Sequence, residues 1–380
     1  MHPLEIAFWV LVACPLYSMI GYPLLMLIAA RVYRRHFVRA PITPRVSLII
    51  AAYNEEAAIA RKLDNSLALD YPPERLEIVV ASDGSTDRTD EIVKSYAGRG
   101  VRLVRAERNV GKSEAVNLAV KHAAGEILVF SDATGMYDPR SVRAMAAHFA
   151  DPRVGCVSGW VAYRYDKSVA GQGFSVYQRF VMALRRAEAA FGSGFNAPGS
   201  IHAVRASAFI PTPPDTFSDM TDPLHAATLG LHTTFEEEAV SWEESRTRIE
   251  DEFRARVRIA SHAWRFMSYA LRRFPLLKSP MYCFQLASHK FLRWMTGPLL
   301  IPIFVLNALL VTHHWIYQLL LAGQLAYYGL TLLGYLFGRT GRRLKALAGL
   351  VFLNTVYLAY IVAFVRFLRG DRKISWVPSR

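Results

Sequence analysis

Three stretches of the chain carry no Asp, Glu, Lys or Arg: 8–30, 294–338 and 346–365. A membrane helix needs roughly 20 apolar residues, and soluble cores seldom run that far without charge. The first and third runs each predict one span. The middle run predicts two, turning at "THHW" near 312–315, which gives four in all. A buried soluble hairpin is the alternative for the middle run. No basic residue precedes the first run and "RVYRRHFVR" follows it. That order argues against a cleaved leader and, by the positive-inside bias, puts these arginines in the cytosol. The region from about 40 to 290 is then cytosolic. Four spans leave the basic tail "RFLRGDRKISWVPSR" outside, against the same bias, so either one run is interfacial or the tail breaks the tendency.

Between the first two runs the period changes. "RVSLIIAAYNEE" reads as a buried strand and a turn, and "AAIARKLDNSLAL" as an amphipathic helix. "LEIVVASDGSTD" is again strand and turn, "RTDEIVKSYAG" helix, "VRLVRAE" a short strand, "GKSEAVNLAVKHAAG" helix and "EILVFSDA" strand. This alternation predicts an α/β domain, a mostly parallel, Rossmann-like sheet covered on both faces. Such sheets bind ligands beyond the carboxyl ends of their strands, at the topological switch point. Three of these strands end in polar residues: Asn54 and Glu55, then Asp83, then Asp132. Residues 140–255 are less regular, with the helical "YQRFVMALRRAEAAF", the Gly-rich "GSGFNAPGS" and the acidic "FSDMTD". Residues 261–293 mix aromatics with Arg and Lys, as interfacial or ordinary amphipathic helices do. The resulting plan is a transmembrane helix at 1–31 and a cytosolic domain at 40–260. Interfacial helices follow at 261–293, about three transmembrane helices at 294–368, and a basic tail at 369–380.

Composition agrees with that division. The 380 residues are 52% hydrophobic, and the mean hydropathy of +0.17 is high for a purely soluble chain. A formal charge of +14 suits a protein held against anionic lipid headgroups. With no helix-turn-helix, zinc finger or basic repeat, nucleic acid is not expected as a partner. Cys14, Cys156 and Cys283 form no CxxC pair, so they read as small apolar residues in a reducing compartment.

Four places carry candidate chemistry. Asp83 opens "DGSTD", where a carboxylate can accept hydrogen bonds from a base or ribose, or cap the following helix. Asp132 ends the strongest strand, a place that suits a divalent cation bridging the phosphates of a nucleotide, or a turn cap. Gly111 and Lys112 precede a helix, and a helix N-terminus with an ammonium nearby is a phosphate neighbourhood. It is not a Walker A loop, and a solvated lysine is the alternative. Asp219 and Asp222 in "FSDMTDP" offer a general base, or simply solvated loop acids.

In combination these segments resemble the family 2 glycosyltransferases, in the membrane-embedded branch that includes hyaluronan, chitin, cellulose and poly-N-acetylglucosamine synthases. The resemblance runs over nearly the whole chain. It rests first on "VSLIIAAYNEE", "VVASDGSTD", "NVGKSEAVN" and "VFSDATGMYDP". Weaker support comes from "GSIHAVRASAF", "FSDMTDPL", "FEEEAVSWEES", "EFRARVRIASHAW" and "SHKFLRW". It implies a GT-A-type nucleotide-sugar domain and an inverting sugar transfer with Mg2+ or Mn2+. By that resemblance Glu55 and Asp83 hold the nucleobase and ribose, Lys112 lies near the nucleotide, and Asn117 is a further candidate. Asp132 is the first acid of the family's D-x-D motif and the metal contact, and Asp219 is the catalytic base with Asp222 as runner-up. Arg258 matches the arginine of Q-x-x-R-W, over the diphosphate, and His202 and Arg205 fall in the segment that lines the acceptor site.

The chain departs from that pattern twice. Position 134 is Thr, so the second acid of D-x-D is absent, and Asp138 is spaced wrongly to replace it. A cation held by one carboxylate, waters and the diphosphate fits the habits of magnesium. The Q-x-x-R-W position reads "ARVRI", without its Gln or Trp. That loss favours single or limited transfer, from a nucleotide-sugar such as a UDP-sugar to a lipid-linked or growing glycan acceptor. A processive synthase with export is the rival, as is a non-catalytic membrane scaffold. Partners expected are the donor, the acceptor and membrane lipids, with a homo-oligomer or partner membrane proteins beside them. The expected location is the inner cell membrane with the catalytic domain in the cytosol.

Overall fold

The computed structural model describes residues 2–164, 169–214, 216–244, 249–273, 279–340 and 345–371. The chain divides into two compact units, Met1–Leu25 with Arg246–Trp264 and Leu286–Lys373, and Met26–Ser245 with Arg265–Gln285 and Ile374–Arg380. The second is the larger, and an eight-stranded sheet organises it. Its strands are β1 (Val46–Ala52), β2 (Leu76–Ser82), β3 (Val101–Arg105), β4 (Ile127–Asp132), β5 (Met136–Tyr137), β6 (Val154–Arg164), β7 (His202–Arg205) and β8 (His232–Glu244). They lie in the order β3-β2-β1-β4-β7-β6-β8-β5. β1 pairs in parallel with β2 and β4, and β2 with β3. β7 runs antiparallel between β4 and β6.

Alternation along buried strands builds the two core layers. Every residue of β1 is buried, and successive side chains point to opposite faces. Leu48, Ile50 and Ala52 join one cluster with Ile59, Leu63 and Val93. Ile49 and Ala51 join the other with Val116, Ala119 and Phe130. The chain winds outward from β1 to β3 and then returns to the other side of β1 as β4. The switch point therefore lies between β1 and β4. Ala51 opposes Asp132 and Ala52 opposes Ser82 in register, so the turns after β1, β2 and β4 open at one edge.

Residues 140–255 are more regular than their pattern suggests, because β6, β7 and β8 extend the same sheet. The acids of β8 hid its strand character. Glu236 is buried on a bond from His148 at 2.8 Å and an ion pair to Arg39 at 2.6 Å, and Glu237 meets Arg186 at 2.5 Å. The helix Ile249–Arg273 also runs on through 260 and 261, where a domain boundary was expected.

Among the described residues, four helices are long and apolar enough to cross a membrane: Pro3–Val32, Pro280–Leu310, Trp315–Gly338 and Ala346–Leu368. The second begins at Pro280, ahead of the uncharged run, and passes through a π turn at Leu286–Phe291. The middle run breaks at the "THHW" turn, where the His314 ring accepts from the Ile316 amide at 3.3 Å and caps the next helix. Within the first unit, Trp264 packs against Phe291, Trp294, Phe364 and Phe367. The basic tail expected at 369–380 lies outside the described residues beyond 371.

Candidate active site

The site is assembled from turns that leave β1, β2 and β4 at the switch point. After β1, Asn54 is the one non-glycine residue with positive φ, +54°, among the described residues. Asparagine tolerates that left-handed conformation better than most residues. Its Oδ1 accepts from the Thr86 amide at 2.8 Å, and its own amide donates to Ser85 Oγ at 3.1 Å. Glu55 follows, half-buried, with its amide on Thr89 Oγ1 at 2.8 Å. The two turns expected to face the nucleoside are thus stitched together.

Asp83 is fully buried. Its carboxylate accepts from the Val110 amide at 2.7 Å and the Gly111 amide at 2.9 Å. Burial pushes its carboxyl above the usual range, and these two amide bonds oppose the shift. Gly84 lets the loop come that near. It has φ +66°, and a β-carbon on it would lie 2.5 Å from the Arg108 carbonyl carbon. Asp83 therefore fixes the loop that delivers Lys112, the first residue of the helix Lys112–Val120.

Lys112 reaches across to β4, where its ammonium pairs with Oδ1 of Asp132. Both side chains stay about one-third exposed, at 29% and 36%. No group of three or more His, Cys, Asp or Glu that could hold a metal occurs among the described residues. Thr134 is exposed, and Asp138 faces Arg140, whose amide donates to it at 3.1 Å. Asp132 thus offers a hard cation a partly exposed carboxylate whose Oδ1 is paired with Lys112, which suits Mg2+ or Mn2+ bound jointly with a diphosphate.

Asp219 enters from the other side, in the first turn of the helix Ser218–Thr228. Its carbonyl accepts from the Ala197 amide at 2.8 Å, tying it to the loop 196–200. Gly199 in that loop sits between the two charged groups. A β-carbon there would lie 3.6 Å from the Lys112 ammonium nitrogen and 4.0 Å from the Asp219 β-carbon. Asp132, Lys112, Gly199 and Asp219 therefore converge on one place. Gly199 was not a site residue in the sequence reading. Its signal was the Gly-rich loop itself, which had no partner until the fold closed.

Four other expected residues prove to be engaged elsewhere. Asp222 is buried, and its Oδ2 lies 3.0 Å from His202 Nε2. His202 is fully buried, with Nδ1 2.8 Å from the Pro198 carbonyl and its ring stacked on Phe130. It acts beneath the loop 196–200 and does not line a surface. Asn117 uses both ends of its amide on the Thr212 backbone, at 2.8 and 2.9 Å, and so clips its helix to the segment leading to Asp219. Arg205 opposes Ile127 in register, at the far end of β4 from Asp132. Its guanidinium donates to the carbonyls of Phe149, Asp151 and Val154. At about 3.3 Å per residue that end is roughly 17 Å from the site, so Arg205 is a structural clip. Arg258 lies on the helix Ile249–Arg273, within the first unit.

Sequence comparison places residues 47–210 in the family model described as Glycosyl transferase family 2. A poly-beta-1,6-N-acetyl-D-glucosamine synthase of Staphylococcus epidermidis is 29% identical over 151 residues, which is 39% of this chain and 36% of that protein. Its counterpart in Staphylococcus aureus (strain COL) is 30% identical over the same length and shares. The aligned part is thus about a third of the length of these curated relatives. Among solved structures, the mannosyltransferase PcManGT from Pyrobaculum calidifontis, in complex with GDP-Man and Mn2+, superposes with a TM-score of 0.73. It covers 96% of this chain and 99% of that chain at 24% identity, which shows the GT-A-type fold.

Proposed function

We propose that this chain, whose residues 47–210 match the Glycosyl transferase family 2 model, is an inverting transferase for a nucleotide-sugar. The donor is a UDP-sugar in first place, and the acceptor is a lipid-linked or growing glycan at the cytosolic face of the cell membrane. The observation that carries this reading is the convergence of Asp132, Lys112 and Asp219 around Gly199, where the turns of the switch point open.

That geometry supports the following proposed roles. The stitched turns at Asn54–Glu55 and 83–89 form the nucleoside side. Lys112, anchored by Asp83 through its loop, holds a positive charge where the diphosphate leaves. Asp132 is the carboxylate that would hold Mg2+ or Mn2+, which would supply positive charge to offset that of the departing diphosphate. Asp219 accepts the proton of the acceptor hydroxyl as it attacks the anomeric carbon from the opposite face. By the resemblance alone, Arg258 is proposed as a further positive charge for the diphosphate, to be tested by Arg258→Ala.

The test is donor turnover by the purified chain in nanodiscs, with a panel of UDP- and GDP-sugars and Mg2+ or Mn2+. Nucleoside diphosphate release from one donor, lost in Asp219→Asn, is the expected result. Release that persists undiminished in Asp219→Asn and Asp132→Asn would refute the assignment. A second reading is a processive polysaccharide synthase with export, and the curated relatives, each a poly-beta-1,6-N-acetyl-D-glucosamine synthase, support its synthase part.

A further inference from the structure

The helix Ile59–Leu67 buries Ile59, Lys62, Leu63 and Ser66, the positions of an inward stripe. One of them is a lysine, and it is completely buried. Its ammonium donates to the Gly135 carbonyl at 2.5 Å and lies 4.0 Å from the centre of the Tyr137 ring. Tyr137 in turn donates its hydroxyl to the carbonyl of Phe130 at 2.7 Å, with the Ser200 carbonyl at 3.0 Å. Gly135 is confined from the other side, since a β-carbon there would lie 2.6 Å from Ser241 Oγ. These contacts surround one short segment, the turn 132–135 that follows Asp132 and leads to Tyr137. Phe130 and Ser200 are neighbours of Asp132 and Gly199, so the same contacts reach both sides of the site.

A buried ammonium is a cost to folding unless something uses it. Burial lowers the Lys62 pKa to about 7, and the charges of Asp132 and Glu243 oppose the shift. An apolar residue of similar length would fill the same stripe without that cost. The feature that only a cation or donor supplies is the grip on the Gly135 carbonyl, in the turn that follows Asp132 and carries Thr134. Groups that orient a metal-binding carboxylate from behind typically change metal affinity or activity 10–100-fold when removed.

We propose that Lys62 is a positioning residue for the Asp132 turn, holding the Gly135 carbonyl and the Tyr137 ring so that the Asp132 carboxylate is presented to a divalent cation. This rests on reading Asp132 as the cation contact. The experiment measures Mn2+ binding to the purified full chain with UDP or GDP present, by the loss of the free-ion electron paramagnetic resonance signal, together with the melting temperature. Lys62→Met is expected to melt at or above the wild-type temperature and to bind nucleotide-dependent Mn2+ roughly 10–100-fold more weakly. Lys62→Gln, which keeps a donor for Gly135 without the charge, is expected to fall between the two. Wild-type Mn2+ affinity in either folded variant overturns the proposal, and so does a Gln variant no better than Met. If only the Gln variant folds, its affinity against wild type decides. Asp132→Asn separates the two readings. Undiminished affinity there removes the Asp132 assignment and this proposal with it. Undiminished affinity in Lys62→Met beside a defective Asp132→Asn removes the proposal alone.

Discussion

Asp219 and Asp222 stand one helical turn apart in "SDMTDP", and the sequence alone left either of them open as the base. Burial separates them. Asp219 is half-buried beside Gly199, whereas Asp222 is buried against His202. Asp219→Asn should cost about 10²–10⁴-fold in donor turnover with donor binding kept, the usual range for a general base. Asp222→Ala strands the His202 ring, so it should lower stability by about 1–3 kcal/mol and reduce turnover per folded molecule far less. Thermal melts and turnover on the same preparations check both, and the opposite pattern would transfer the base to Asp222. Lys62 makes a separate prediction through pH. Its folded pKa, about 7, lies below the ordinary lysine value of 10.5, so the unfolded chain binds the extra proton between these values. Stability should therefore rise from pH 7 toward pH 10. Lys62→Met should lack that rise, which melting curves across the range would show. Asp132 and Asp219 were legible because strand ends and acidic loops advertise themselves. Lys62 and the His202–Asp222 pair were not, because which face a helix or short strand buries is decided by the whole sheet. A charge standing on the stripe Ile59, Lys62, Leu63, Ser66 was the available signal.

At the scale of elements, the site depends on turns locked to one another more than on any strand. The Asn54 turn is bonded to 85 and 86, and the Asp83 carboxylate holds 110 and 111. Gly84 is where these locks meet, since its positive φ and the Arg108 backbone both exclude a side chain. Gly84→Ala should destabilise by more than about 1 kcal/mol, the reverse of the gain alanine brings where φ is negative. It should also weaken nucleotide binding by releasing the Lys112 loop, which titration calorimetry with the nucleoside diphosphate would reveal. Gly98→Ala, with open space around its position, is the matched control. β1 to β4 were readable because buried parallel strands are nearly continuous apolar runs between clear helices. β5 to β8 were not. β5 has two residues, and β8 carries Glu236 and Glu237, whose partners His148, Arg39 and Arg186 come from distant parts of the chain.

For the whole molecule, the open question is how many sugars one acceptor receives. Among the described residues, four helices long enough to span a bilayer accompany the sheet domain, so the chain should stay with membranes after an alkaline carbonate wash. The apolar runs alone made this legible, since length without charge needs no tertiary context. Membrane residence is common to both readings of the product and cannot separate them. The sequence "ARVRI" bears on it more directly, because Ile259 stands where the Q-x-x-R-W motif of the resembled branch has its tryptophan, which that resemblance puts at the acceptor end. A transferase without that platform has less to hold the growing end between additions, and each product should leave after one or a few transfers. With donor in large excess over acceptor, a limited transferase converts most acceptors to short products before any long chain appears. A processive one gives long chains while most acceptors remain unused. Gel separation of radiolabelled product at early time points distinguishes these directly, and short products on most acceptors are the expected outcome. High-mass product beside unreacted acceptor would move the chain to the processive reading while leaving Asp132, Lys112 and Asp219 in their proposed roles.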